Sequence, residues 1–269
     1  MIRLQDRKVD INHFPDGTLL IKDAVKGVEK GEEIIVKWNY ESNEELVALY
    51  FLTKHIKSLG YENVVLDMPY IPNARQDRVK CEEDVFTLKY FAQMINSLGY
   101  TEVRVLDAHS NVSLALIDRI KNITPVSYIS KVINQIENSR GKKPLMFYPD
   151  EGAGKRYSGM IDLPYCFGIK KRDWESGIIK GLDVSGETDS INRNDILIAD
   201  DICSYGGTFL FSAAKLKELG AQNIYLFVSH CEASILDGKL PDSGLITRIY
   251  TTDSIFNKEH EIIEVIGKA

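Results

Sequence analysis

Two rhythms of apolar and polar positions run through the 269-residue chain. Stretches with apolar residues every three or four positions alternate with short, nearly continuous apolar runs. The first pattern predicts amphipathic helices and the second predicts buried strands. Three segments share this plan: "SLGYENVVLDMPY" (58–70), "SLGYTEVRVLDAH" (97–109) and "ELGAQNIYLFVSH" (218–230). In each, a helical pattern ends at Leu-Gly, and Gly60, Gly99 and Gly220 suit the left-handed position just past a helix. Ser42 and Glu45 have capping-box spacing ahead of the first of these helices. Leu46, Leu49, Tyr50, Ile56 and Leu59 then predict its inward stripe. Helices alternating with apolar strands imply an α/β fold of mainly parallel sheets flanked by helices. A second half opens near "KPLMFYPDEGAGKRY" (143–157), so two α/β domains are expected, 1–140 and 141–269, with the boundary around "IENSRGKKP".

Composition narrows the class. Hydrophobic residues make up 44% and charged residues 27%, which suits a packed globular protein. A formal net charge of −6 argues against general nucleic-acid binding, which needs a basic surface. Cys81, Cys166, Cys203 and Cys231 are widely spaced and form no C-x-x-C pair, so reduced thiols in a cytoplasmic protein are expected. The opening "MIRLQDRKVD" is too polar for a signal peptide, and no apolar run reaches the roughly 20 residues of a membrane span.

Polar clusters follow the predicted strands: "PYIPNARQDR" after Met68, "DAHS" after Leu106, "PDEGAGKR" after Tyr148, "DDICSYGGT" after Ile198 and "SHCEAS" after Val228. Ligands of open α/β sheets bind beyond the carboxyl ends of the strands, so these clusters are candidate site segments. In "ILIADDICSYGGTFL" (196–210), an apolar strand runs into Asp200 and Asp201, then into Gly206 and Gly207 and a helix. Ser204, Thr208 and the first N–H groups of that helix predict a nest for a phosphate. Two carboxylates upstream can accept hydrogen bonds from vicinal hydroxyls. Together they describe a site for a ribose 5-phosphate.

At this point the motifs resemble a family. "ILIADDICSYGGT" looks like the ribose-phosphate loop of the type I phosphoribosyltransferase fold. "FPDGT", "PYIPNARQDR", "LDAHS", "YPDEGAGKRY" and "IKKR" occur in the order found in ribose-phosphate diphosphokinases (PRPP synthetases). The resemblance implies two phosphoribosyltransferase-like domains, the first binding ATP and the second the ribose phosphate. It implies that Phe14 and Asp16 lie near the ATP base, and that Arg75, Gln76 and Arg78 donate to the polyphosphate, with Asp77 orienting them or meeting a metal-bound water. His109 and Asp150 would approach Mg²⁺ on ATP, with Gly152, Ala153 and Gly154 leaving room for phosphate beside Lys155 and Arg156. Lys170 and Arg172 would neutralise charge on the diphosphoryl group, at the start of a loop running through "DWESGIIKGLDVSGETDSINRN". Asp200 and Asp201 would hold the 2- and 3-hydroxyls, and Ser204, Tyr205, Gly206, Gly207 and Thr208 the 5-phosphate. The implied reaction moves the β,γ-diphosphate of ATP to the 1-hydroxyl of ribose 5-phosphate. Self-association is implied as well, since family sites are completed by neighbouring subunits.

The chain departs from the pattern. Thr18 stands where Glu is common, and Ser204-Tyr205 where Asp-Thr is common. These changes open the alternative of a larger acceptor, a ribose 5-phosphate ester such as ADP-ribose, with a product that feeds NAD synthesis. A phosphoribosyltransferase or a non-catalytic synthetase-associated protein are further alternatives. "NARQDR" and "IKKR" argue against the transferase, and retention of His109, Asp150, Lys170 and Arg172 argues against the non-catalytic protein.

Overall fold

The computed structural model describes residues 1–29, 33–172 and 179–267, with the side chains of 170–172 and 179–181 outside that description. The chain divides into two compact units, Met1–Thr124 and Pro125–Ala269.

The first unit contains β1 (Ile2–Leu4), β2 (Arg7–Lys8), β3 (Ile11–His13), β4 (Leu19–Ile21), β5 (Ile34–Trp38), α1 (Glu44–Ser58), β6 (Val64–Asp67), α2 (Thr87–Ser97), β7 (Glu102–Leu106), α3 (Asn111–Leu116) and β8 (Ile120–Ile123). Its sheet runs β2-β1-β5-β6-β7-β8, while β3 and β4 form a separate hairpin. The pairs from β5 to β8 are parallel, as the alternating helices require. Ile34, Val36 and Trp38 of β5 are buried against Ala48, Leu49, Leu52 and Ile56 of α1.

Helix α1 differs from its sequence pattern in two ways. Its buried positions are Glu45, Ala48, Leu49, Leu52, Thr53 and Ile56, a regular three-four spacing. Tyr50 and Leu59, expected inside, are 37% exposed. The capping box does not form either: Asn43 is the N-cap, and no side chain caps the helix. Glu45 instead turns inward and accepts from Trp38 Nε1 at 3.0 Å and Glu41 N at 2.8 Å. The buried indole needs an acceptor, and that need outweighs the cap.

The second unit contains α4 (Val126–Arg140), β9 (Leu145–Tyr148), α5 (Glu151–Tyr157), β10 (Tyr165–Arg172), β11 (Ile179–Gly186), β12 (Ile196–Cys203), α6 (Gly207–Glu218), β13 (Ile224–Cys231), β14 (Arg248–Thr251) and β15 (Ile263–Val265). Its sheet runs β11-β10-β9-β12-β13-β14-β15, and only the β10–β11 pair is antiparallel. Strand β13 is buried at all eight positions, as a strand covered on both faces must be. The division at Thr124/Pro125 falls before the segment near residue 140 where the sequence suggests a boundary. The reason is α4, whose polar contacts reach forward: Lys131 Nζ donates to Gly267 O, and Arg140 Nε donates to Asp195 Oδ2.

Part of the long loop expected after Arg172 is strand β11, with Leu182 and Val184 packed against the second core. Gly60, Gly99 and Gly220 all have positive φ, as their places after helices require. No helix among the described residues is long and apolar enough to cross a membrane.

Replacing Glu45 with Ala removes the acceptor for a buried indole N–H and is expected to cost about 2–3 kcal/mol. Denaturant unfolding would show this as a lower midpoint with an unchanged slope.

Candidate active site

In the second unit, the sheet register assembles the site. Leu145 and Phe147 of β9 pair with Ile196 and Ile198 of β12. The chain after β9 therefore reaches Asp150 beside the carboxyl end of β12, where Asp200 and Asp201 lie. Asp150 caps α5, its Oδ1 accepting from Ala153 N at 3.0 Å. Asp200 Oδ1 accepts from Asp201 N at 2.9 Å. Burial, then the charge of Asp201 and a hydrogen bond with it, push the Asp200 carboxyl well above the usual range, and Asp150 adds to the effect.

Arg156 offsets this negative charge. Its Nη1 lies 3.0 Å from Asp201 Oδ2, and its guanidinium stacks 5.6 Å from the Tyr157 ring centre. Gly152, Ala153 and Gly154, expected to leave room for phosphate beside Lys155 and Arg156, lie in helix α5, which sends those two cations in different directions. Lys155 pairs with Glu151 at 2.9 Å in solvent, while Arg156 turns inward to the β12 carboxylate.

The nest follows β12. Gly206 has φ +78° and is the N-cap of α6. A side chain there would require a left-handed backbone, and its Cβ would stand 2.8 Å from Leu240 Cβ. The first N–H groups of α6, from Gly207 and Thr208 onward, have no acceptor within the helix by its geometry. Tyr205 is 63% exposed beside them. Ser204 Oγ donates to Glu232 Oε2 at 2.6 Å, and Ser234 Oγ donates to the same oxygen at 3.2 Å. Glu232 was not singled out by sequence reasoning. The available signal was its place directly after the buried strand β13, in the cluster "SHCEAS".

In the first unit, neighbouring strand ends carry the other expected residues. Met68 N bonds Arg104 O at 2.8 Å and Leu106 N bonds Pro69 O at 2.9 Å, which ties the segments after β6 and β7. Buried Ile71 and Ala74 anchor the loop that exposes Arg75, Gln76 and Arg78. Gln76 Oε1 accepts from Thr87 Oγ1 at 2.9 Å, and Asp77 Oδ1 holds Arg78 Nε at 3.2 Å. His109 is half-buried just past Asp107, a buried residue at φ +45°. Phe14, 48% exposed, and Asp16 occupy the tip of the β3–β4 hairpin. Asp16 is held by Thr18, which donates from N at 3.0 Å and Oγ1 at 2.7 Å, so its carboxyl lies below its usual range. Lys170 and Arg172 have their backbone in β10, opposite Leu182 and Ile179, and their side chains lie outside the described residues.

Among the described residues, no cluster of three or more His, Cys, Asp or Glu is arranged to hold a metal by protein atoms alone. The carboxylates near Arg156 are hard oxygen donors, suited to a magnesium ion that takes most of its ligands from phosphate and water.

Two variants test the charge balance. Asp200 binds a proton in the folded state at pH values where the unfolded chain has lost it. Its contribution is therefore present below the ordinary aspartate range and is lost as pH rises through the raised value. Asp200→Asn is expected to raise the melting temperature at pH 7.5, by about 2–4 °C for each kcal/mol of relief, with the gain vanishing below about pH 4. Arg156→Met leaves Asp201 buried without its cation and is expected to cost about 3 kcal/mol. Thermal melts of both proteins across pH would show the opposite signs.

Comparison with known proteins gives the family. Residues 2–99 match the family model for the N-terminal domain of ribose phosphate pyrophosphokinase. The chain is 31% identical over 229 residues to the ribose-phosphate pyrophosphokinase of Pyrococcus abyssi, covering 82% of this chain and 75% of that protein. It is 29% identical over 248 residues to ribose-phosphate pyrophosphokinase 2 of Archaeoglobus fulgidus, covering 90% of this chain and 82% of that one. The crystal structure of phosphoribosylpyrophosphate synthetase from Mycobacterium smegmatis matches 97% of this chain and 86% of its own, with a TM-score of 0.78 at 17% identity, a likeness of fold. With a relative of this identity and coverage, the chain belongs to the ribose-phosphate pyrophosphokinase family of transferases.

Proposed function

We propose that the protein transfers the β,γ-diphosphate of ATP to the 1-hydroxyl of a ribose 5-phosphate, releasing AMP. The observation that carries this reading is the run from Asp200 to Thr208, which sets two carboxylates immediately before an anion nest on one rigid strand–helix junction. The nest takes the 5-phosphate. The acids accept from the ring hydroxyls and orient the sugar, which fixes the direction of attack. Arg156 holds the Asp201 carboxylate in place.

ATP is assigned to the first unit. Arg75, Gln76 and Arg78 donate to its phosphates, Asp77 orients Arg78, and Phe14 and Asp16 lie near its base. Magnesium would lower the charge of the polyphosphate when bound, and by resemblance to the family His109 and Asp150 are the residues that would approach it. Lys170 and Arg172 stabilise the diphosphoryl group in flight. The sugar oxygen forms its bond to the β-phosphorus as the bond to the α-phosphate oxygen breaks, and AMP leaves with that oxygen. The relatives' name supports this chemistry.

Two observations favour a second reading, in which the acceptor is a 5-phosphate ester such as ADP-ribose. Tyr205 offers an open ring beside the nest, and Ser204, where Asp is common in the family, is engaged by Glu232. The transfer is the same, and the product would feed NAD synthesis. Cytoplasmic placement and self-association remain part of the proposal.

The test is mass spectrometry of products from ATP, Mg²⁺ and either ribose 5-phosphate or ADP-ribose. AMP with a diphosphorylated sugar is expected, and the identity of that sugar decides between the readings. No AMP from either mixture would sink both. Lys170→Ala and Arg172→Ala are each expected to lower kcat by about 10²–10³-fold.

A further inference from the structure

We propose that Glu232 is a specificity-determining residue of the anion nest, weakening its hold on a doubly charged terminal phosphate relative to a singly charged phosphate within a diphosphate ester. This rests on the reading that the nest holds the sugar's 5-phosphate, and it deepens that reading by naming the acceptor class.

The carboxylate is built into the wall of the nest. Ser204 and Ser234 both donate to Glu232 Oε2, at 2.6 and 3.2 Å. The backbone is tied too, with Glu232 N donating to Cys203 O at 2.8 Å. Farther along the same segment, a Cβ at Gly238 would come within 2.1 Å of Tyr205 O, so the two loops are in backbone contact.

The loop itself carries no cation, since Ser204 to Thr208 contains neither Lys nor Arg. Within the loop itself, attraction for an anion therefore comes from backbone N–H groups and hydroxyls, with Lys239 on the facing segment the nearest cation in sequence to its contacts at Gly238 and Leu240. One of those hydroxyls, on Ser204, directs its hydrogen to Glu232 and away from a ligand. Each further negative charge on a ligand in the nest is repelled by the Glu232 carboxylate, which the Ser204 hydrogen bond holds at the loop. A terminal phosphate carries about −1.5 to −2 at pH 7, whereas in the diphosphate bridge of ADP-ribose each phosphorus carries one charge, so the phosphate in the nest carries one and the second lies on the next phosphorus outside it. The esterified phosphate is thus penalised less. Its second substituent would extend past the nest, where the exposed Tyr205 ring can pack on a flat apolar group.

Calorimetric titration of the full chain with Mg²⁺ and no ATP tests this, with ribose 5-phosphate and ADP-ribose as separate probes. Glu232→Gln is expected to tighten ribose 5-phosphate by about tenfold and ADP-ribose by less than about threefold. Glu232→Ala should shift the ratio in the same direction, and melting curves identify a variant that has not folded. If the folded variants bind both sugars with the wild-type ratio, the Glu232 assignment is overturned while the nest reading stands. If the wild-type protein binds neither sugar, the nest reading falls and the assignment falls with it.

Discussion

Crowded negative charge on one guanidinium sets the terms for the second unit. Asp201 lies against Arg156, Asp200 lies next along the same strand, and Asp150 is close enough to raise the Asp200 carboxyl further. In water Asp150 would simply move away from the adjacent pair. Here β9 and β12 are neighbouring parallel strands and their carboxyl ends cannot part. The fold holds the acids together, and α5 supplies the compensating cation. An arrangement that costs stability in the empty protein is the kind that a bound ligand with hydrogen-bond donors or a cation would relieve. This pattern of strain at a binding site, held by a rigid frame, is general among enzymes.

Much of this was legible in the amino-acid pattern. The apolar run 196–199 could only be a buried strand, and Gly206 and Gly207 after the acids marked a close-packed turn. The three Leu-Gly helix ends were readable because a left-handed residue favours glycine. Other features were hidden because they depend on contacts distant in sequence. Nothing local says that Glu45 serves the Trp38 indole in place of a helix cap. The inward turn of Arg156 is visible only once Asp201, 45 positions later, is beside it. Glu232 likewise lies 28 positions from the Ser204 it engages. Strand β11 was read as loop because polar residues interrupt it, and the register with β10 is what makes it a strand.

The two units use one supersecondary plan with different loops at the strand ends. In the first, the loop after β6 is long, with its basic and amide side chains directed to solvent on a short apolar anchor at Ile71 and Ala74. That suits a flexible, highly charged ligand. In the second, the turn after β12 is short and every residue of it is seated against another segment or starts a helix. That suits a compact ligand held in one orientation.

The seat beneath that turn has an evolutionary consequence. Leu240 fits only because residue 206 has no side chain, and Tyr205 keeps its path only because residue 238 has none. The turn and the stretch 232–240 are therefore a single heritable module, although more than twenty residues separate them. A turn transplanted from a relative without its matching floor would collide with the old one. New acceptors in such a lineage would have to emerge by paired change at both places.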